Sequence, residues 1–355
     1  MIKISWLVLS LVIVSIAAAC APAPTPAPTA APPTAAPIVA AATQAPTTAP
    51  TIAPTVGPPV KVTAAWVAIT GNQAPAWLAK EGGIFAKNNL DVNLTFIQGS
   101  ATATQSLLGG STQMIQMAGP AAVNAKSQGG DVAIIAGFVN LSVFKLMVDP
   151  SIKTVADLKG KTISITRFGS SDEFVLRKIL KDNALDPNKD VKIIQAQDAN
   201  GQLAAFKAKQ TDAILLSPPN DLIAQKQGAA LLVDTIPLKM PYQAVGLVTT
   251  RKYIKDNRAT VLNFLKSEIE AIRRFKTDRA FAEATMAKYL QTNDPDVLSA
   301  SWEAYAASFA DIPYPSLLGI QQIMDESGVT GFKPEDFVDL SLVKELEDAG
   351  YFKPK

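Results

Sequence analysis

The sequence predicts an α/β protein of two similar lobes, each a mostly parallel sheet flanked by helices. Three observations point there. A 39-residue stretch recurs, without a gap, 99 residues further on. Each copy reads strand, turn, helix, short strand, turn, helix. The chain beyond residue 59 is long enough for about two domains at roughly 100–200 residues each.

The copies run from Asp91 to Gly129 and from Asp190 to Gly228. Nine of the 39 positions are identical, among them Gln98/Gln197, Pro120/Pro219 and Gly129/Gly228; ordinary composition would give roughly two or three. The spacing exceeds that of a solenoid repeat, which makes the copies lobes rather than stacked units. In the first copy Val92, Leu94 and Phe96 alternate as a half-buried strand does. Gly99-Ser100-Ala101-Thr102 stops that strand and offers hydroxyl caps to a helix starting near Ala103. Gly109-Gly110 closes the helix, because glycine accepts the left-handed C-cap conformation. Met114 to Ala118 is a short strand, Pro120 opens the next helix, and Gly129-Gly130 ends it. The second copy repeats the plan with Asp198 to Gly201, Ala213 to Leu216, Pro218-Pro219 and Gly228. Strand–helix–strand units imply right-handed crossovers and parallel strands. Such sheets hold ligands beyond the carboxyl ends of their strands, where helix N-termini gather.

Taken in order, Met1 to Cys20 is a targeting segment: Lys3 gives the charge, Ile4 to Ile16 the apolar run, and Ala17-Ala18-Ala19 the small residues before the cut. The run is too short for a transmembrane helix. Residues 21–59 are Ala, Pro and Thr without charge, a spacer that favours extended polyproline II segments. The folded part opens with a strand at Lys61 to Ile69 and a helix from about Pro75 to Lys80. Val132 to Phe138 and Val143 to Val148 read as strands, Thr162 to Thr166 as another, and a helix follows from about Glu173 to Asp182. After the second copy, Ala244 to Thr250 is a strand and the rest is helical; Val261, Leu262, Phe264, Leu265, Ile269, Ile272 and Phe275 recur at helical spacing and mark a buried face.

Composition excludes several functions. The chain has no histidine, which removes histidine-based acid–base, triad and metal chemistry. Its single cysteine, Cys20, precedes the folded part, so no intrachain disulfide forms. Net charge is +2 with signs interspersed, and no basic stripe suggests nucleic acid. The turns after strand ends supply the candidate ligand contacts: Thr70, Asn72, Gln73, Ser100, Thr102, Gly119, Phe138 and Asn140 in the first lobe, then Arg167, Phe168, Ser170, Asn200, Ser217, Asn220 and Tyr242. Amides with aromatics suit a flat neutral heterocycle; Arg167 keeps a small oxoanion open as the alternative. Asp172 reads as a helix-start acid.

Four stretches carry a resemblance. Ala17-Ala18-Ala19-Cys20 resembles the lipobox of bacterial lipoproteins, with alanine where leucine is usual at position 17. Ala79-Lys80-Glu81-Gly82-Gly83-Ile84-Phe85 with Leu90-Asp91-Val92 resembles the opening of nitrate-, sulfonate- and taurine-type solute-binding proteins, a group that includes binders of thiamine precursors and of riboflavin. Asp157-Leu158-Lys159-Gly160-Lys161 resembles the segment opening their second lobe. Thr211-Asp212-Ala213 resembles their G-x-x-D-A, with Lys209-Gln210 where glycine is usual.

The resemblance implies a type II periplasmic-binding-protein fold. Its lobes would span 60–147 with 249–355, and 148–248, joined by a two-segment hinge near Lys145–Pro150 and Val245–Thr250. It further implies a monomeric receptor, lipidated at Cys20 and facing outward from the cell membrane, that hands solute to an ABC permease and its ATPase. No cofactor, metal or catalytic residue is implied. Riboflavin is the first ligand expected, a thiamine pyrimidine the second, and a sulfonate, taurine or nitrate the alternative. Related thiamine-pyrimidine synthases depend on a histidine that this chain lacks.

Overall fold

The computed structural model describes residues 57–353. The targeting segment and nearly all of the spacer, Cys20 included, lie outside them. The first lobe contains β1 (Val60–Trp66), α1 (Ala74–Glu81), α2 (Ile84–Lys87), β2 (Leu90–Phe96), α3 (Ser100–Leu108), β3 (Met114–Met117), α4 (Gly119–Ser127) and β4 (Ala133–Leu141). The second contains β5 (Lys145–Val148), β6 (Thr162–Ile165), α5 (Ser171–Asp182), β7 (Lys192–Gln195), α6 (Ala199–Lys207), β8 (Ala213–Leu216), α7 (Asn220–Lys226) and β9 (Ala230–Asp234). β10 (Pro241–Thr249) returns to the first sheet. Then come α8 (Arg251–Asp256), α9 (Arg258–Thr277), α10 (Arg279–Leu290), α11 (Pro295–Ser308), α12 (Leu317–Ser327) and α13 (Ser341–Asp348).

The two sheets share one plan. Their orders are β2-β1-β3-β10-β4 and β7-β6-β8-β5-β9. In each, the fourth strand runs antiparallel to both neighbours, and it is the strand delivered by chain crossing from the other lobe. The other four strands run one way, as expected. The 99-residue repeat is visible in the elements: α3 and α6, and β3 and β8, have bounds that differ by 99 residues at both ends.

The crossings fall earlier than the resemblance implies. Lys145 to Val148 already pairs with β8 and β9, so it belongs inside the second sheet. Val245 to Thr249 lies within β10, paired to β4. The chain crosses instead at 142–144 and 235–240, giving sheet-based lobes of 60–141 with 241–353, and 145–234. The crossings run side by side: the Ser142 and Thr235 hydroxyls lie 2.8 Å apart, the Thr235 N–H donates to Phe144 O at 3.0 Å, and that of Ser142 to Met240 O at 3.0 Å.

The core follows from strand periodicity. Along β8, Ala213 and Leu215 join the large core, while Ile214 and Leu216 face a smaller one with Met147, Leu203 and Phe206. Successive side chains point to opposite faces, and a strand covered on both sides reads as a continuous apolar run. The α9 stripe is buried as its spacing predicts, with Val261, Phe264, Leu265, Ile269, Ile272 and Phe275 inside. β9 has no alternating signal in Ala230-Leu231-Leu232-Val233, and only its pairing with β5 makes it a strand. Among the described residues no helix is long and apolar enough to cross a membrane.

Candidate functional site

The carboxyl ends of both sheets open onto one cavity of about 130 Å³. From the first lobe it is lined by Val67 to Thr70, Asn72 and Gln73 after β1, by Phe96 at the end of β2 and Gln98 to Ala101 leading into α3, and by Ala118 before α4. From the second come Thr166 to Asp172, Gln197 to Asn200, Gln202 and Leu215 to Ser217; Phe144 and Ala244 complete it near the crossings. The starts of α3, α5 and α6 therefore all reach the cavity wall. The caps of α3, α4 and α5, at Gly99, Ala118 and Ser170, make no side-chain hydrogen bond to their helices. Unpaired N–H groups at helix starts carry partial positive charge and favour an anion.

Arg167 stands on the turn between β6 and α5. It reaches across to the first lobe, where a Cβ on Gly99 would sit 3.2 Å from its Cδ. Gly99 has φ +86, so this position needs glycine both for its backbone and for the close approach. The Arg167 Nε is buried and has no hydrogen-bond partner among the described residues. The turn itself is tied down: Phe168 N–H donates to Gln195 Oε1 at 2.9 Å and Gly169 N–H to Glu173 Oε2 at 2.5 Å. Beneath it Asp172 is fully buried, accepting from Thr166 N at 2.5 Å, Thr166 Oγ1 at 2.8 Å and the Ser170 hydroxyl. Burial pushes its carboxyl above the ordinary range, against the pull of these donors. The other cavity acid, Asp198, caps α6 through Gly201 N–H at 2.8 Å and accepts from Gln98 Nε2 of the facing lobe at 2.8 Å. Both acids thus have partners, whereas the buried nitrogen of the arginine has none.

The structure brings nine of the fifteen expected contacts to this cavity: Thr70, Asn72, Gln73, Ser100, Arg167, Phe168, Ser170, Asn200 and Ser217. Six lie elsewhere. Thr102 is exposed on α3, which starts at Ser100 rather than Ala103, because Gly99 turns the chain straight into the helix. Gly119 is packed under Gln243 and Ile323. Phe138 is fully buried on β4. Asn140 donates to Gly137 O and Tyr314 O, closing a loop of the first lobe. Asn220 is buried at the start of α7. Tyr242 is fully buried on β10 and stacks on Phe174 with centroids 5.0 Å apart.

Sequence reading missed Phe96, Gln98, Phe144 and Asp198. The alternation of Val92, Leu94 and Phe96 predicts a half-buried Phe96, yet it is 43% exposed beside Trp66. The identity of Gln98 and Gln197 between the copies was an available signal for the cross-lobe contact.

Two α/β lobes with a shared cavity at their strand ends make up the type II periplasmic-binding-protein fold. The family described as NMT1/THI5 like matches residues 70–274, more than half of the chain, and the chain belongs to it. It is 25% identical over 287 residues to YtlA of Bacillus subtilis (strain 168), covering 76% of this chain and 84% of that one. Its fold is similar to that of the periplasmic aliphatic sulphonate binding protein SsuA from Escherichia coli (TM-score 0.66, 19% identity, 79% of this chain and 92% of that one). It is also similar to the periplasmic nitrate-binding protein NrtA from Synechocystis PCC 6803 (TM-score 0.66, 16% identity, 84% of this chain and 91% of that one).

Proposed function

We propose that this protein is the receptor of an ABC importer for a small organic anion, an oxoanion head on an apolar body such as an aliphatic sulfonate. The observation that carries it is the buried Nε of Arg167, without a partner among the described residues and set among helix starts whose caps make no side-chain hydrogen bond. A planar guanidinium and backbone N–H groups suit a charged oxygen cluster. Val67, Ile69, Phe96, Phe144, Leu215 and Leu216 give the body an apolar wall. SsuA and NrtA, both named as binding oxoanions, share the fold.

The heteroaromatic vitamin reading loses two of its three stacking rings, since Phe138 and Tyr242 belong to the core. It keeps Phe168 and gains Phe96 and Phe144 on the wall. Calorimetric titration with ethanesulfonate, nitrate, riboflavin and a thiamine pyrimidine decides between them. Saturable binding of ethanesulfonate is the expected result. Binding of either heterocycle with no response to the anions would overturn the proposal.

Cys20 is proposed as the lipidated N-terminus of the mature chain. Two acyl chains hold a protein on a membrane stably. Cys20→Ser should therefore move most of the protein out of the membrane fraction or leave its leader uncut. An unchanged membrane fraction with a cut leader would contradict the anchor.

A further inference from the structure

α11 packs on α9, α10 and β4 of the first lobe and on the Gly71–Gln73 turn, and it also touches α7 of the second lobe. Tyr305 occupies that double contact and is fully buried. Its ring presses on Gly71: a Cβ there would sit 2.6 Å from two ring carbons and 2.3 Å from the Ser301 Oγ. Asn72 and Gln73, the next residues, line the cavity. The phenol points the other way in the chain and donates to Pro218 O at 3.0 Å. Ser217, immediately before, lines the opposite wall. Burial, helped by the Asp221 charge, pushes the phenol upward, so it stays a neutral donor, while the Ser217 side chain and the Asn72 backbone act on it in the opposite sense.

We infer that Tyr305 is a positioning residue for ligand: without lining the cavity, it fixes the spacing between the Asn72–Gln73 wall and the Ser217 wall. The ring can move neither way freely. Gly71 leaves it no room on one side, and on the other a shift would strand the buried Pro218 carbonyl, which costs more than the bond itself returns. The two walls belong to different sheets, so one side chain from a C-terminal helix ties their separation together. The ligand arm of this inference rests on the organic-anion reading; the spacing arm does not.

Tyr305→Phe removes one oxygen and leaves the ring in place. In the full-length chain without ligand, backbone hydrogen exchange should speed up several-fold in both 71–78 and 217–224. Affinity for ethanesulfonate should fall roughly three- to tenfold, the weight of one net hydrogen bond. Gly71→Ala is the second variant. It pushes the same ring from the first lobe and should raise exchange at 217–224, in the other lobe. Acceleration confined to the mutated lobe in both variants, or found nowhere, would overturn the inference whatever the probe does. Acceleration in both walls of a protein that never binds ethanesulfonate would uphold the spacing role and sink the anion reading instead.

Discussion

Replacing Arg167 by alanine is expected to weaken ethanesulfonate binding about 30-fold or more. Removing one partner of a buried, hydrogen-bonded charge pair costs roughly 2–5 kcal/mol, because the remaining charge stays desolvated. Among the described residues no substitute cation lines the cavity; its other charged residues are Asp172 and Asp198. The helix starts would keep part of the affinity, since each contributes only about 0.3–1 kcal/mol. Arg167→Lys should fall between the two: it restores charge but not the planar fork that grips two oxygens at once. Calorimetry on the three proteins checks the order. The folded state should change little, since the Arg167 Nε holds no structural partner. An alanine variant that binds the anion as tightly as the parent would show that the guanidinium is not the anion's seat. A neutral ring stacked on Phe168 would predict that outcome.

The scaffold was far more legible in the sequence than the site. The gap-free repeat carried the architecture: glycines that must turn left after a helix, Gly129 and Gly228 with φ +88 and +94, stand 99 residues apart because both copies need the same turn. Arg167 and Phe168 were found because they follow a strand end in an α/β plan. What failed was telling which strand-end aromatics point outward. Phe138 and Tyr242 lie on β4 and β10, adjacent strands of the first sheet, and both are fully buried. Tyr305 gave no signal at all. It sits at an unremarkable helical position, and its importance comes from a contact between segments 87 residues apart. Crossing points were misplaced for a similar reason: nothing in Lys145-Leu146-Met147-Val148 says which sheet it joins, and only pairing with β8 and β9 decides it.

Glu268→Met is expected to raise thermal stability by several degrees at pH 8 and by less at pH 5. Glu268 lies on the inner face of α9, fully buried, and neither carboxyl oxygen has a hydrogen-bond partner among the described residues. Burial alone pushes its carboxyl well above the ordinary value of 4.5, with no charged neighbour contributing. The sign follows from linkage. A group with a raised folded pKa gives its full stability below the unfolded value and loses it as pH rises toward the folded one. The parent should therefore lose stability from about pH 4.5 upward, because the unfolded chain releases a proton that the folded chain retains. Asp172, also raised by burial, adds a smaller slope of the same sign. Asp149, Asp157, Asp186 and Asp190 are held below their ordinary values by hydrogen bonds, so their contribution is lost only in more acid solution. Between pH 5 and 8 the raised groups dominate the comparison. Methionine has nearly the same length and no polar atom to strand, and an unpaired buried polar group costs roughly 1–3 kcal/mol. At about 2–4 °C per kcal/mol for a folded part of this size, that gives the expected rise. Glu268→Gln separates the two causes: it should flatten most of the pH slope while keeping the cost of a buried polar group. Melting curves at pH 5, 6.5 and 8 for the three proteins test this, and parallel curves for parent and Glu268→Gln would show that the carboxyl does not hold its proton in the folded state.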